Sequence, residues 1–402
     1  MNPKIRAVQP DLVEQEGSPY ILLRDPLKLS ELSILIPQPL GPLLVLCDGT
    51  RDIDELQKAL ELYAGVQLQR ENLEQLIAKL DEVLLLENEH SDQAVKVSRD
   101  GFRAANYRVP ALSGGGYPSD PDELKAVLES YIANVPEADP SAGHIRGIIS
   151  PHIDYQRGGP VYAQVWQKAA RALEEVELAI IFGTNHLGGS NLFTLTRQNY
   201  ATPFGIMPTD VDIVDRLADA IGQVVAFEDE LYHMNEHSIE LDIVWLHYFL
   251  GKRDCKVVPI LCGSLGQFVE GDDSPLQSDE ISAVVECLQE VTRDRRTLVV
   301  AAADLAHMGP AFGDRDPIIL ADREKIKSAD DELINAMRSS DAETFFSLIK
   351  DEKDARRICG LSPIYSTLRV IGEARGELCG YDQCPADGQN TSMVSICGVT
   401  LE

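Results

Sequence analysis

Gly147-Ile-Ile-Ser-Pro-His152-Ile-Asp154-Tyr155-Gln-Arg157-Gly-Gly-Pro160 is the stretch that decides the fold. Ile145, Ile148 and Ile149 are β-branched and favour a buried strand, and Pro151 ends regular pairing, so His152 falls beyond the strand's carboxyl end. In an open α/β sheet, ligands bind beyond that end. One such turn taken alone is more simply a strand-to-helix turn whose histidine merely satisfies a hydrogen bond. The reading therefore depends on whether other strands end in the same way.

They do. Candidate strands at 145–149, 178–182, 256–261, 297–302 and 393–399 alternate with helical patterns. That alternation predicts an α/β domain with a mostly parallel central sheet flanked by helices. The first strand leads to His152, with Asp154 and Tyr155 close behind; the second leads to Asn185 and His186. The third leads to Cys262-Gly-Ser264, and the fourth to Asp304 and His307. Side chains with ligand chemistry thus collect at one edge of the sheet.

Two further pieces lie outside those strands. Asn235-Glu236-His237-Ser-Ile-Glu240 opens a helix that closes at Gly251, which puts His237 and Glu240 on one face, the carboxylate placed to orient the imidazole. His247 reads as a packing histidine, and His233 is open to either role. In Arg356-Arg357-Ile-Cys359-Gly360-Leu-Ser362-Pro363 a cysteine precedes the opening turn of a helix. A helix N-terminus and nearby guanidinium groups both favour thiolate there. Cys47, Cys255, Cys287 and Cys397 read as buried and inert.

Histidines, a carboxylate and a cysteine make a donor set suited to iron, copper or zinc rather than magnesium or calcium. Two histidines plus one anionic ligand is the facial arrangement of non-haem iron sites with open positions. Spacing alone does not choose the metal. Ser113-Gly-Gly-Gly116 has no strand before it and no phosphate-loop lysine after it, so it reads as a flexible turn near the site. No dinucleotide fingerprint is present.

At 402 residues the chain is long enough for two domains. A net charge of -29, from 65 acidic and 36 basic residues, argues against nucleic acid or an anionic membrane as partner. The opening Met1-Asn-Pro-Lys-Ile-Arg has no apolar signal region, no run reaches membrane-spanning length, and the 8 cysteines are scattered without a Cys-x-x-Cys pair. A reducing cytoplasm is the expected location.

Residues 1–95 read as a small separate unit, 96–105 as a linker, and 106–402 as the α/β domain. In the small unit, Asp52 and Glu55 have capping-box spacing ahead of a helix, a second helix runs from Glu71, and Val83-Leu84-Leu85-Leu86 is expected as a terminal strand. That order suggests a winged-helix-like module. Leu46-Cys47-Asp48-Gly49-Thr50-Arg51-Asp52-Ile53-Asp54-Glu55-Leu56 resembles PqqD-like modules, which implies a peptide or protein ligand; a structural cap or dimer surface is the alternative.

From about residue 106 onward the chain resembles the Memo family, called AmmeMemoRadiSam system protein B in prokaryotes, whose fold is similar to class III extradiol dioxygenases. The matching pieces are Ser-Gly-Gly-Gly-Tyr-Pro from 113, Ser-Pro-His152-Ile-Asp-Tyr155, Gly-Thr-Asn-His186, Glu-His237-Ser-Ile-Glu240, Ala-Asp304-Leu-Ala-His307-Met-Gly and Ile-Cys359-Gly. The resemblance implies a metal on His152, His186 and Cys359, with Asp304 and His307 lining the pocket and His237 between them. It also implies iron or copper and redox chemistry. Two departures stand out: Ile-Asp follows His152 where Ala-Gly is usual, and Leu112 stands where members often have histidine. The expectation is an Fe(II)-dependent oxidoreductase in which His237, His307 and Asp304 serve catalysis and Asp154, Tyr155, Asn185 and Glu240 surround the site. A non-catalytic metal or redox sensor on the same scaffold and a metal-dependent hydrolase are the alternatives.

Overall fold

A computed structural model describes residues 2–15, 17–136 and 144–402. The chain divides into two compact units, Met1–Ala104 and Ala105–Glu402.

The first unit opens with an antiparallel sheet of β1 (Gln9–Gln15), β2 (Ser18–Arg24) and β3 (Ile34–Pro37), in that order. Helices follow at Pro42–Leu46, Ile53–Ala64, Arg70–Glu82 and Glu89–Ala104. The capping box at Asp52 forms as its spacing predicts, with the Glu55 amide donating to the Asp52 carboxylate and the Asp52 amide to Glu55. Val83–Leu86, expected as a strand, is not one. Leu84 takes a left-handed φ of 61°, which breaks an extended run, and Leu86 makes only an isolated bridge to Ile5. Leu85 and Leu86 are buried without belonging to a sheet. The stretch 96–105, expected as a linker, is helical through Ala104, as the last turns of a helix that Asn88 opens by accepting the Ser91 N–H and that buries Ser91 and Phe102.

The second unit is built on an eight-stranded sheet. Its members are β4 (Gly147–Ser150), β5 (Leu178–Thr184), β6 (Phe193–Leu195), β9 (Lys256–Cys262), β10 (Thr297–Ala302), β11 (His307–Met308), β12 (Gly376–Pro385) and β13 (Met393–Leu401); β7 (Tyr200–Thr202) and β8 (Gly205–Met207) form a separate ribbon. The order is β11-β13-β4-β10-β5-β9-β6, with β12 also on β13. β4, β10, β5 and β9 run parallel, whereas β6, β11, β12 and β13 pair antiparallel, so the sheet is mixed and mostly parallel at its centre. Each of the five expected strands is present. β12 was not foreseen: Gly376-Glu-Leu-Cys-Gly-Tyr-Asp-Gln-Cys-Pro385 has no clean apolar alternation, and its pairing with β13 makes it a strand.

Period-2 alternation fills a core on each side. Ile149, Ile180, Phe182, Val258, Ile260 and Val299 feed one face, packing with the helices Val211–Ile221, Asp279–Asp294 and Leu361–Ile371. Ile148, Ile181, Val257, Leu298 and Val300 feed the other, under the helices Pro121–Ile132, Tyr155–Ala169 and Ser238–Leu250. Truncating one of these fully buried side chains to alanine costs about 2–5 kcal/mol, so the strand ends stand on a stiff platform. No helix of the described residues is long and apolar enough to cross a membrane.

Candidate metal centre

Adjacent parallel strands deliver the site. β10 lies between β4 and β5, with Ala302 opposite both Ser150 and Gly183. His152 and Asp304 each follow the last residue of their strand by two positions, and His186 does the same after Thr184. Three loops therefore leave the sheet side by side, with Asp304 in the middle. The Asp304 carboxylate accepts the backbone N–H of His152 at 2.9 Å and of Ile153 at 3.3 Å, fixing the turn that Pro151 begins.

Cys359 arrives from the far end of the sequence and is held by its own backbone. Its carbonyl accepts from Thr184 Oγ1 at 3.0 Å, and the Gly360 N–H donates to the Asp304 carbonyl at 3.0 Å. A Cβ on Gly360 would sit 2.5 Å from that carbonyl oxygen and 2.7 Å from Ala303 Cβ. Only glycine permits so close an approach of the two loops.

The imidazoles are oriented from behind. His152 Nδ1 lies 2.9 Å from the Ala302 carbonyl, which can only accept, so Nδ1 carries the proton and Nε2 keeps its lone pair. That Nε2 is 3.2 Å from Cys359 Sγ and 3.7 Å from Asp304 Oδ2. His186 Nδ1 lies 3.1 Å from each oxygen of Glu236, which leaves its Nε2 for a ligand. Glu236 also accepts the backbone N–H groups of His186, His237 and Ser238 at 3.0, 2.8 and 2.9 Å. His237 stacks on His186 at a centroid distance of 4.9 Å, and both rings meet His152 edge-on at 5.7 and 5.0 Å. Among the described residues, His152, His186 and Cys359 bring donor atoms within 4.8 Å of one another, and so do His186, Glu236 and His237. The His152 side chain is 2% exposed, while those of His186 and His237 are 33% and 37% exposed. The buried imidazole thus forms the floor and the stacked pair the mouth.

Burial, with the neighbouring imidazoles His186 and His237, holds His152 well below the usual histidine pKa. Burial likewise lowers His237 and His307. Burial opposes charge on His186 too, yet the Glu236 carboxylate, by charge and hydrogen bond, raises it above the usual value. Glu236 moves the opposite way: burial opposes its ionisation, but His186 and the N–H donors keep it ionised far below the usual range. Asp304 is raised by burial. Burial thus favours neutral His152, His237 and His307, while His186 and Glu236 favour each other's charged forms.

Several expectations are corrected here. Cys359 does precede a helix, Leu361–Ile371, but its thiol is pushed well above the usual range by burial and by Asp304 rather than favoured as thiolate. The guanidiniums expected to help are engaged elsewhere, Arg356 with Asp330 and Glu352, Arg357 with Asp314. Glu240 does not orient His237. It is buried against Arg108 and accepts from the Ala111 and Leu112 amides and from Tyr117 Oη, closing the loop that carries Gly114–Gly116. Asp154 caps its own helix and pairs with Arg157, Tyr155 Oη donates to the Leu241 carbonyl, and Asn185 ties its own turn through Leu187 and Gly188. The third strand end contributes no donor side chain: Cys262 is buried within β9, where its carbonyl accepts the Asn185 N–H, and Ser264 turns back to Gly266. His307 Nδ1 bonds the Leu305 carbonyl, and its backbone N–H donates to Arg356 beside the cysteine loop. His233 is a buried structural residue between Tyr200 and Thr194, and His247 packs on Phe204.

Glu236 and Arg108 escaped the sequence reading. Glu236 precedes the N-cap residue His237 and accepts the first amides of the helix; that its carboxylate also reaches His186, 50 residues away, leaves no local signal. Arg108, 1% exposed, donates to the carbonyls of His233 and Glu236 and so clamps the segment that positions Glu236.

The sequence model of a family described as Memo-like protein matches residues 108–400. A MEMO1 family protein of Aquifex aeolicus is 29% identical, with all of both chains covered. A MEMO1 family protein of Methanopyrus kandleri is 28% identical over 68% of this chain and 91% of its own length, and one of Methanosarcina mazei is 25% identical over 73% and 99%.

Proposed function

This chain belongs to the Memo-like protein family, and from that premise we propose that it is a non-haem metal protein, an iron-dependent oxidoreductase of extradiol-dioxygenase-like fold. One observation carries the reading: His152, His186 and Cys359, from three separate loops, have donor atoms within 4.8 Å. The donor set fits a metal, because both imidazoles have Nδ1 committed to an acceptor and Nε2 left with its lone pair. Two nitrogens and a sulfur suit iron, copper or zinc, and iron bound there would supply redox chemistry with positions open to substrate and oxygen.

The chain's own residues do the rest. Glu236 orients His186, and Asp304 holds the His152 turn. His237, at the mouth and kept neutral by burial, takes a proton from a bound substrate, and His307, similarly neutral, is the second proton carrier. All 8 cysteines are free, in keeping with a reducing cytoplasm. The first unit, read as PqqD-like, holds a peptide or protein substrate; β1 is an edge strand of its sheet with Leu12 71% exposed. Its deletion is expected to weaken peptide binding without unloading the metal.

The test is elemental analysis of anaerobically purified protein beside His186→Ala and Cys359→Ala. Near-stoichiometric iron lost in both variants is the expected result, followed by oxygen uptake with candidate peptides. Wild-type protein that carries no metal and cannot be loaded refutes the reading. A zinc-loaded protein that consumes no oxygen favours hydrolysis instead.

A further inference from the structure

The opposite end of the sheet holds a second cavity, of about 1040 Å³, unrelated to the histidine cluster. It opens at the amino-terminal ends of β4, β5 and β10, where His144–Arg146, Val176 and Arg295–Thr297 enter their strands. Its floor is apolar, with Ile145, Val299 and Ile371; its walls carry Arg146, Arg171, Arg293, Arg295 and Arg296. The carboxylates among the lining residues are Glu174 and Glu175, and Asp210 behind them pairs with Arg295, so five guanidiniums less three carboxylates leave a local charge of +2. That is a reversal of sign in a chain whose net charge is -29.

The guanidiniums are not alike. Arg146 is committed to the carbonyls of Ile371, Glu373 and Glu402, which anchors the wall, and Arg295 is paired with Asp210 at 2.6 Å. Among the described residues Arg296 pairs with Glu175, both side chains about 60% exposed, and such a pair exchanges readily for another anion. Arg293 stands exposed at the last turn of the helix Asp279–Asp294. We propose that this cavity binds a phosphorylated small molecule, with Arg293 and Arg296 gripping the phosphate and the aliphatic part resting on Ile145, Val299 and Ile371. Planar guanidinium forks match phosphate oxygens two at a time. The volume is that of a small-molecule site and exceeds what a lone inorganic phosphate fills. No Phe, Tyr or Trp is among the lining residues, and His144 is the single ring there.

The experiment is calorimetric titration of the full chain with inorganic pyrophosphate, against citrate as a carboxylate of comparable charge. Saturable pyrophosphate binding that exceeds citrate binding, weakens roughly tenfold or more in Arg293→Ala and Arg296→Ala, and persists in His186→Ala is expected. The last condition separates this cavity from the metal centre, so loss of one reading does not carry the other. The Arg293→Lys/Arg296→Lys double variant, which keeps charge but loses the fork, guards against misfolding; it should remain folded and bind more weakly. Absence of saturable binding, equal binding of citrate, or binding unchanged in the arginine variants overturns the proposal.

Discussion

Glu236→Gln is the substitution that tests the logic of the site most sharply. The carboxylate accepts four N–H groups: those of the His237 and Ser238 backbone on one oxygen, that of the His186 backbone on the other, and His186 Nδ1 at 3.1 Å from both. Glutamine has the same shape but only one oxygen. If that oxygen stays with His237 and Ser238, the amide N–H₂ faces the His186 amide, donor against donor, and orphans a buried group at a cost of about 1–3 kcal/mol. His186 Nδ1, 3.1 Å from both positions, then faces one acceptor and one donor in place of two acceptors, which weakens the preference for the tautomer that leaves Nε2 free for a metal. Turning the amide over moves the clash to His237 and Ser238 and removes no cost. An outer partner of this kind is worth roughly 10–100-fold in metal affinity, and the stability loss converts to a similar factor. The assay is anaerobic Fe(II) titration against a competing chelator, with thermal unfolding of the metal-free protein alongside. Wild-type affinity and an unshifted melting midpoint in the variant would show that His186 needs no orienting carboxylate.

Loading should release about one proton, because the Cys359 thiol is raised by burial yet must ligate as thiolate; calorimetry in two buffers of different ionisation enthalpy reads this, and no buffer dependence contradicts it. Metal-free protein should show a pH-dependent contribution from the His186–Glu236 pair. His186 is raised above 6.5, so its share is complete below 6.5 and fades as pH climbs through the raised value; Glu236 is depressed below 4.5, so its share holds above 4.5 and fades only as pH falls through the lowered value. The stability gap between wild type and Glu236→Gln is therefore larger at about pH 5.5 than at about pH 9, and denaturant unfolding at the two pH values showing an equal gap refutes it. Gly360→Ala forces a Cβ against the Asp304 carbonyl, for a loss of about 1–3 kcal/mol and impaired metal uptake; a variant that melts and loads like wild type would mean the loops separate freely.

The central sheet was legible because buried parallel strands write themselves as unbroken apolar runs, such as Leu178–Phe182 and Leu298–Ala302, each stopped by a polar residue with ligand chemistry. The same abrupt stops marked His152, His186 and Asp304. What sequence could not convey was partnership across distance. Glu240, one helical turn from His237, is drawn to Arg108 by a buried ion pair 132 residues apart, and the carboxylate beside the His237 imidazole is that of Glu236, 3.2 Å from Nδ1. Cys359 looked activated because two arginines precede it, yet Asp330 and Asp314 claim both. β12 was hidden because its strand character comes from β13 and not from its own pattern.

His152 and Cys359 meet at 3.2 Å although 207 residues separate them in the chain. Contacts of such long sequence separation form late, since the loop between them must first be closed by something else. Here that closure is the sheet itself: β4, β10 and β5 must be in register before Thr184 and Asp304 can receive the cysteine loop. No short segment gathers the ligands, so a metal ion has little to nucleate on in the unfolded chain. For the metal protein proposed above, the order of assembly would be scaffold first and metal last, with newly made protein passing through a complete but unloaded fold, available to whatever supplies the ion.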